Sequence, residues 1–107
     1  GPAGPVTLIL PTGTQEIRIV AGIIDTIQAS GSGLGYTFTR TSTSPLRYVI
    51  TFADLISPAV NVTAEESVQP STFPYIRNTA EGMVEIEADS NVTELHFSAI
   101  ELIASPT

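Results

Sequence analysis

The feature that most limits what this chain can become is a twofold alternation of its side chains. Tyr36, Phe38 and Arg40 alternate with Thr37, Thr39 and Thr41, and the turn Ser42-Thr43-Ser44-Pro45 follows. Leu46, Tyr48, Ile50 and Phe52 then alternate with Arg47, Val49, Thr51 and Ala53. Successive strand residues point to opposite faces, so this period describes strands with one buried face. Two such runs around a short turn predict a β-hairpin.

The same reading extends along the chain. Val60, Val62 and Ala64 alternate with Asn61, Thr63 and Glu65, and Val84, Ile86 and Ala88 with Glu85, Glu87 and Asp89. Over 16–24, Ile17, Ile19 and Ala21 alternate with Arg18, Val20 and Gly22, and Gly22 is expected to mark a bulge. Residues 6–10, 73–78 and 94–103 read as further strands, with Pro74 placing its strand at a sheet edge. Thr26 to Ala29 extends the pairing of the second strand, and the glycine-rich stretch Ser30 to Gly35 reads as a flexible hairpin loop. No segment holds a helical period. The expectation is an all-β domain, an antiparallel β-sandwich or jelly roll of about eight strands. Its expected core is Ile17, Ile19, Tyr48, Ile50, Phe52, Val60, Val62, Val84, Ile86, Leu95 and Phe97.

Composition removes several function classes. The chain has 107 residues, enough for one domain. Its net charge is −7, with four arginines and no lysine, so the basic footprint that nucleic acid requires is missing. Attraction to an anionic membrane fails on the same ground, and no apolar run is long enough for direct membrane insertion. There is no cysteine, hence no thiolate nucleophile and no Cys-ligated metal. No charged segment leads into an apolar run as a signal peptide would, and the chain reads as the C-terminal part of a longer protein. Only 14% of residues are charged against 42% hydrophobic, which predicts apolar surface buried between subunits.

Few residues suggest chemistry. His96 is the sole histidine and alternates with Leu95 and Phe97, so it points away from them. One histidine without cysteine argues against a tetrahedral zinc site, and no metal site is expected. Gly31-Ser32-Gly33-Leu34-Gly35 lacks phosphate-loop spacing and precedes a strand rather than a helix. Glu81, Glu85, Glu87, Asp89 and Glu94 form an acidic cluster, for which calcium is the alternative to a solvated face. Glu85, Glu87 and Asp89 are expected to face solvent. Arg40 and Arg47 are expected to pair with Asp54 or a glutamate. Phe73, Tyr75 and Arg77 fall on one strand face. They read as a contact patch for a sugar ring or a subunit, with His96 as a further candidate. The alternative is that Phe73 and Tyr75 fill the core. Two sequons, Asn61-Val62-Thr63 and Asn91-Val92-Thr93, read as coincidences of a Thr-rich β protein. No catalytic residue and no cofactor are expected.

The chain opens Gly1-Pro2-Ala3-Gly4-Pro5, which has the Gly-X-Y register of collagen, although a cloning remnant has the same form. Further motifs follow in order. They are Ile19-Val20-Ala21-Gly22, Ser30-Gly31-Ser32-Gly33, Tyr36-Thr37-Phe38-Thr39-Arg40 and Tyr48-Val49-Ile50-Thr51-Phe52. Pro58-Ala59-Val60-Asn61-Val62-Thr63, Asn78-Thr79-Ala80-Glu81-Gly82-Met83-Val84 and Leu95-His96-Phe97-Ser98-Ala99-Ile100-Glu101-Leu102 complete the set. This order resembles the small C-terminal head domains that follow collagen-like repeats in bacterial surface proteins and phage tail fibres. It is similar in architecture to the sandwich of H-type lectins. The resemblance implies a stalk end at residues 1–5 and a head at 6–107. It further implies a homotrimer that aligns the stalk, an extracellular, cell-surface or virion location, and attachment to a surface glycan or protein receptor. The alternatives are a trimerisation module without a ligand and a tumour-necrosis-factor-like secreted ligand.

Overall fold

A computed structural model describes the backbone of residues 4–10, 13–66 and 73–104, and the side chains of 16–66 and 73–103. These residues are all-β and form two antiparallel sheets packed as a sandwich. The strands are β1 (Gly4–Leu10), β2 (Gly13–Asp25), β3 (Ser30–Gly33), β4 (Tyr36–Thr43) and β5 (Leu46–Phe52). They continue with β6 (Ala59–Glu66), β7 (Tyr75–Ala80), β8 (Met83–Ala88) and β9 (Val92–Ala104). One sheet has the order β1-β2-β9-β6 and the other β3-β4-β5-β8-β7.

The hairpin expected from the alternation is β4–β5, with Phe38 opposite Ile50 and Tyr36 opposite Phe52. Its apolar face lies in the core: Tyr36, Phe38, Leu46, Tyr48, Ile50 and Phe52 are all buried. Strand β8 adds Val84, Ile86 and Ala88 from the same sheet, and β9 adds Leu95, Phe97 and Ala99 from the opposite one. The Tyr36 ring meets Phe97 edge-on across the sandwich, with centroids 4.8 Å apart. The hydroxyl of the buried Tyr48 donates to the Gln28 carbonyl at 2.6 Å, so this polar group of a core side chain has its partner.

Several expectations need correction. In β2 the inward residues are Val20 and Ile24, whereas Ile17 is half-buried and Ile19 is exposed on the outer face. Val60 and Val62 are only partly buried, packed on the margin of the core by the edge strand β6. Gly22 is not a bulge: it pairs in register with Phe97, and its missing side chain admits the Tyr36 ring. Thr26 extends the pairing by one backbone bond, donating to the Thr93 carbonyl of β9, but residues 27–29 leave β2 and carry the chain to the other sheet. Ser30–Gly33 is a paired edge strand and not a loop, with Gly31 opposite Phe38 and Gly33 opposite Tyr36. Each ring lies over the glycine that faces it, where a Cβ would collide. Pro74 does immediately precede an edge strand, β7. Gly4 and Pro5 belong to β1, where they pair with Ile19 and Arg18. Residues 1–3 lie outside the described residues.

Two left-handed glycines shape the turns. Gly35 (φ 86°) closes β3–β4 and Gly82 (φ 69°) closes β7–β8, a conformation that favours glycine. Gly82 also accepts from the Phe52 amide and donates to the Ile56 carbonyl, tying that hairpin to the 53–58 crossover.

Candidate functional site

A two-sheet sandwich offers two outer faces, and here they differ in kind. On the five-stranded sheet, β5, β8 and β7 present a connected polar network. Arg47 Nε donates to Glu87 Oε1 at 2.7 Å, and the Tyr75 hydroxyl donates to Glu87 Oε2 at 2.5 Å. Arg77 donates to Glu85 Oε1 at 2.6 Å and lies 3.6 Å from Glu87. The register makes this possible, since Glu87 stands opposite both Arg47 and Tyr75 on its two neighbouring strands. Tyr75 and Arg77, two residues apart on β7, both face outward, and the pairing with β8 shifts between Ile76 and Asn78. The Tyr75 hydrogen bond, then Arg47, holds the Glu87 carboxyl below the usual carboxylate range. The same hydrogen bond raises the Tyr75 hydroxyl.

Glu85 and Glu87 therefore leave the core side of the sheet as expected, but they are half-buried beneath their cationic partners rather than solvated. Asp89 is also half-buried and accepts from the Asn91 amide. The acidic cluster of the sequence is divided, because Glu94 lies on the other sheet. Arg47 finds a glutamate as expected, while Arg40 bonds instead to the Thr26 carbonyl at 2.8 Å. The core-filling alternative for Phe73 and Tyr75 fails, because Phe73 is 83% exposed and Tyr75 is exposed as well. Phe73, Tyr75 and Arg77 are thus neighbours at one sheet edge. His96 does not join them, since it lies in β9 of the opposite sheet.

The outer face of the four-stranded sheet is apolar over much of its length. Ile17 pairs with Leu102, and Ile19 with Ile100, which in turn stands opposite Ala59 of β6. Ile19 and Ile100 are each 38% exposed, and Ile23 and Leu102 each 57%. The rows between them carry Ala21, Ser98 and Asn61, so no formal charge interrupts the face from Ile17 to Ile23. Periodicity alone missed this surface, because it placed Ile17 and Ile19 inside. The available signal was that large apolar residues occupy both phases, Ile19 and Ile23 against Val20 and Ile24, and Ile100 and Leu102 against Ala99 and Ile103.

At one end this face becomes acidic. Asp25, Glu94 and Glu65 form a single cross-strand row over β2, β9 and β6, next to the row of Ile23, His96 and Thr63. His96 Nε2 lies 2.8 Å from Glu94 Oε1 and 3.9 Å from Glu65 Oε1. The neighbouring Glu66, past a bulge, turns inward; its carboxylate oxygens are buried without a hydrogen-bond partner among the described residues. Loss of water, and Asp89 nearby, push that carboxyl up.

No known protein family, curated protein or solved structure matches this chain.

Proposed function

We propose that this domain is a non-enzymatic trimeric head of a collagen-like fibre, working outside the cell or on a virion in assembly and attachment. The observation that carries the reading is the uncharged apolar outer face of the β1-β2-β9-β6 sheet. An exposed patch of this kind on a small domain marks an interaction surface. Full burial of an Ile or Leu side chain is worth about 1.5–3 kcal/mol, so covering the remaining exposure of Ile19, Ile23, Ile100 and Leu102 offers roughly 3–6 kcal/mol per subunit. The N-terminal strand β1 flanks this sheet, so a stalk would enter beside the surface that three heads would share.

Attachment falls to the opposite face. Tyr75 and Arg77 with the exposed Phe73 supply the aromatic and planar cationic groups that recognise sugar rings or a protein receptor. A head that only trimerises is favoured by one observation: Tyr75 and Arg77 already bond to Glu87 and Glu85. Binding on a glycan array separates these two readings. Sedimentation equilibrium tests the assembly itself. The expected result is three chain masses for the wild type and one for Ile100→Glu. A monomeric wild type refutes the proposal.

A further inference from the structure

We propose that Glu65, Glu94 and His96 form a binding site for a divalent transition metal of the zinc class. The three residues bring one imidazole nitrogen and two carboxylates to the outer face of one sheet, with the candidate ligand atoms within 4.8 Å of one another. Metal–ligand bonds of about 2.0–2.2 Å at tetrahedral angles separate neighbouring ligands by roughly 3.4 Å. The observed 2.8 Å and 3.9 Å from Nε2 bracket that spacing. Glu94 and His96 alternate on β9, so they point the same way, and Glu65 stands directly opposite Glu94 on β6. The imidazole selects zinc, cobalt or nickel over calcium, which prefers oxygen ligands alone.

The same carboxylates belong to a charge row that holds the site. Asp25, Glu94 and Glu65 lie opposite one another on three adjacent strands, and like charges directly opposite destabilise a strand pair. The chain has only four arginines and no lysine to offset them. Arg18 is paired with Glu16, Arg47 with Glu87 and Arg77 with Glu85, so three of the four are held away from the row, while Arg40 bonds the Thr26 carbonyl beside Asp25. A bound dication would offset two of the row's three negative charges. The composition argued against zinc because it counted histidines; it could not show that strand pairing delivers Glu65 to His96. The site borders the proposed contact surface, since His96 stands opposite Ile23, but its ligands all come from one chain and the inference does not depend on the subunit contact.

The test is calorimetric titration of the intact chain with Zn2+, alongside the visible spectrum of added Co2+. One equivalent should bind, and Co2+ should give the intense absorption of a four-coordinate site. His96→Ala and Glu65→Gln should each weaken binding at least tenfold, while Glu81→Gln, at an exposed turn, should leave it unchanged. Circular dichroism checks that each variant is folded, and Glu65→Gln, nearly isosteric on an edge strand, serves if His96→Ala does not fold. Absence of saturable binding, or binding that survives both ligand variants, overturns the site.

Discussion

Gly22→Ala should destabilise the domain through one contact. Tyr36 lies between two glycines, Gly22 of β2 and Gly33 of β3, which belong to different sheets. A Cβ on Gly22 would stand 2.5 Å from Tyr36 Cζ and 2.8 Å from Cε1, and a Cβ on Gly33 would also stand 2.5 Å from Cζ. The ring has little room to withdraw, because Phe97 meets it edge-on and it is itself buried. Overpacking of this kind costs about 1–3 kcal/mol. Replacing a strand glycine by alanine returns about 0.5–1 kcal/mol of backbone entropy. The midpoints leave a net loss of about 1.2 kcal/mol, or a fall in Tm of roughly 5 °C for a domain of this size. Thermal unfolding followed by circular dichroism reads this, at one fixed protein concentration because association also moves Tm. The mechanism is isolated by repeating Gly22→Ala in a Tyr36→Leu background, where the shorter side chain removes the collision. There the alanine should be neutral or stabilising, giving a coupling of about 1 kcal/mol or more. A Gly22→Ala protein as stable as wild type, or the same loss in both backgrounds, refutes the argument.

Two further outcomes follow from particular hydrogen bonds. Tyr48→Phe removes the donor to the Gln28 carbonyl and should cost about 1 kcal/mol in urea unfolding with an unchanged m-value; no loss would mean that this bond contributes nothing. Glu87 has its carboxyl lowered by Tyr75 and Arg47, so its contribution is present above the unfolded value and is lost as pH falls through the lower folded one. The wild-type advantage over Glu87→Gln should therefore be full at neutral pH and shrink below about pH 4.3, the ordinary glutamate value; an advantage independent of pH would refute the ionic account.

The parts of this fold that could be read from the sequence are those where one phase of the alternation is polar. In β4, β5 and β8 the polar phase carries Thr37, Thr39, Arg47, Thr51, Glu85 and Glu87, so the inward residues were unambiguous. Tyr75 and Arg77 were also readable as outward neighbours, because their spacing is local. What needed the fold was pairing between distant segments. Glu87 reaches Arg47 and Tyr75 only because β8 lies between β5 and β7, and Glu65 reaches His96 only because β6 joins β9. The glycines of 30–35 misled for a related reason: the aromatic side chains that cover Gly31 and Gly33 come from the next strand, so local composition reads as loop.

Strand β2 shows why the remaining error and the proposed contact surface have one cause. Its two phases are Ile17, Ile19, Ala21 and Ile23 against Arg18, Val20, Gly22 and Ile24, and neither is polar enough to be assigned outward. A shift of one residue would exchange them completely. The choice is made by tertiary contacts. Gly22 alone can pass over the Tyr36 ring, Ile24 fills the core completely, and Arg18 reaches the Asp54 carbonyl at 3.1 Å. With that phase inward, three isoleucines and an alanine are turned outward. They meet Ile100 and Leu102 of β9, which are outward because Leu95, Phe97 and Ala99 are inside. Over residues 17–23 and 100–102 the two central strands thus carry apolar residues on both sides, a pattern that belongs to sheets covered on both faces. The core covers one of those faces, and the subunit contact proposed here would cover the other. A charge at Ile100 is therefore expected to separate the chains without unfolding them, because it burdens only the side that the core does not use.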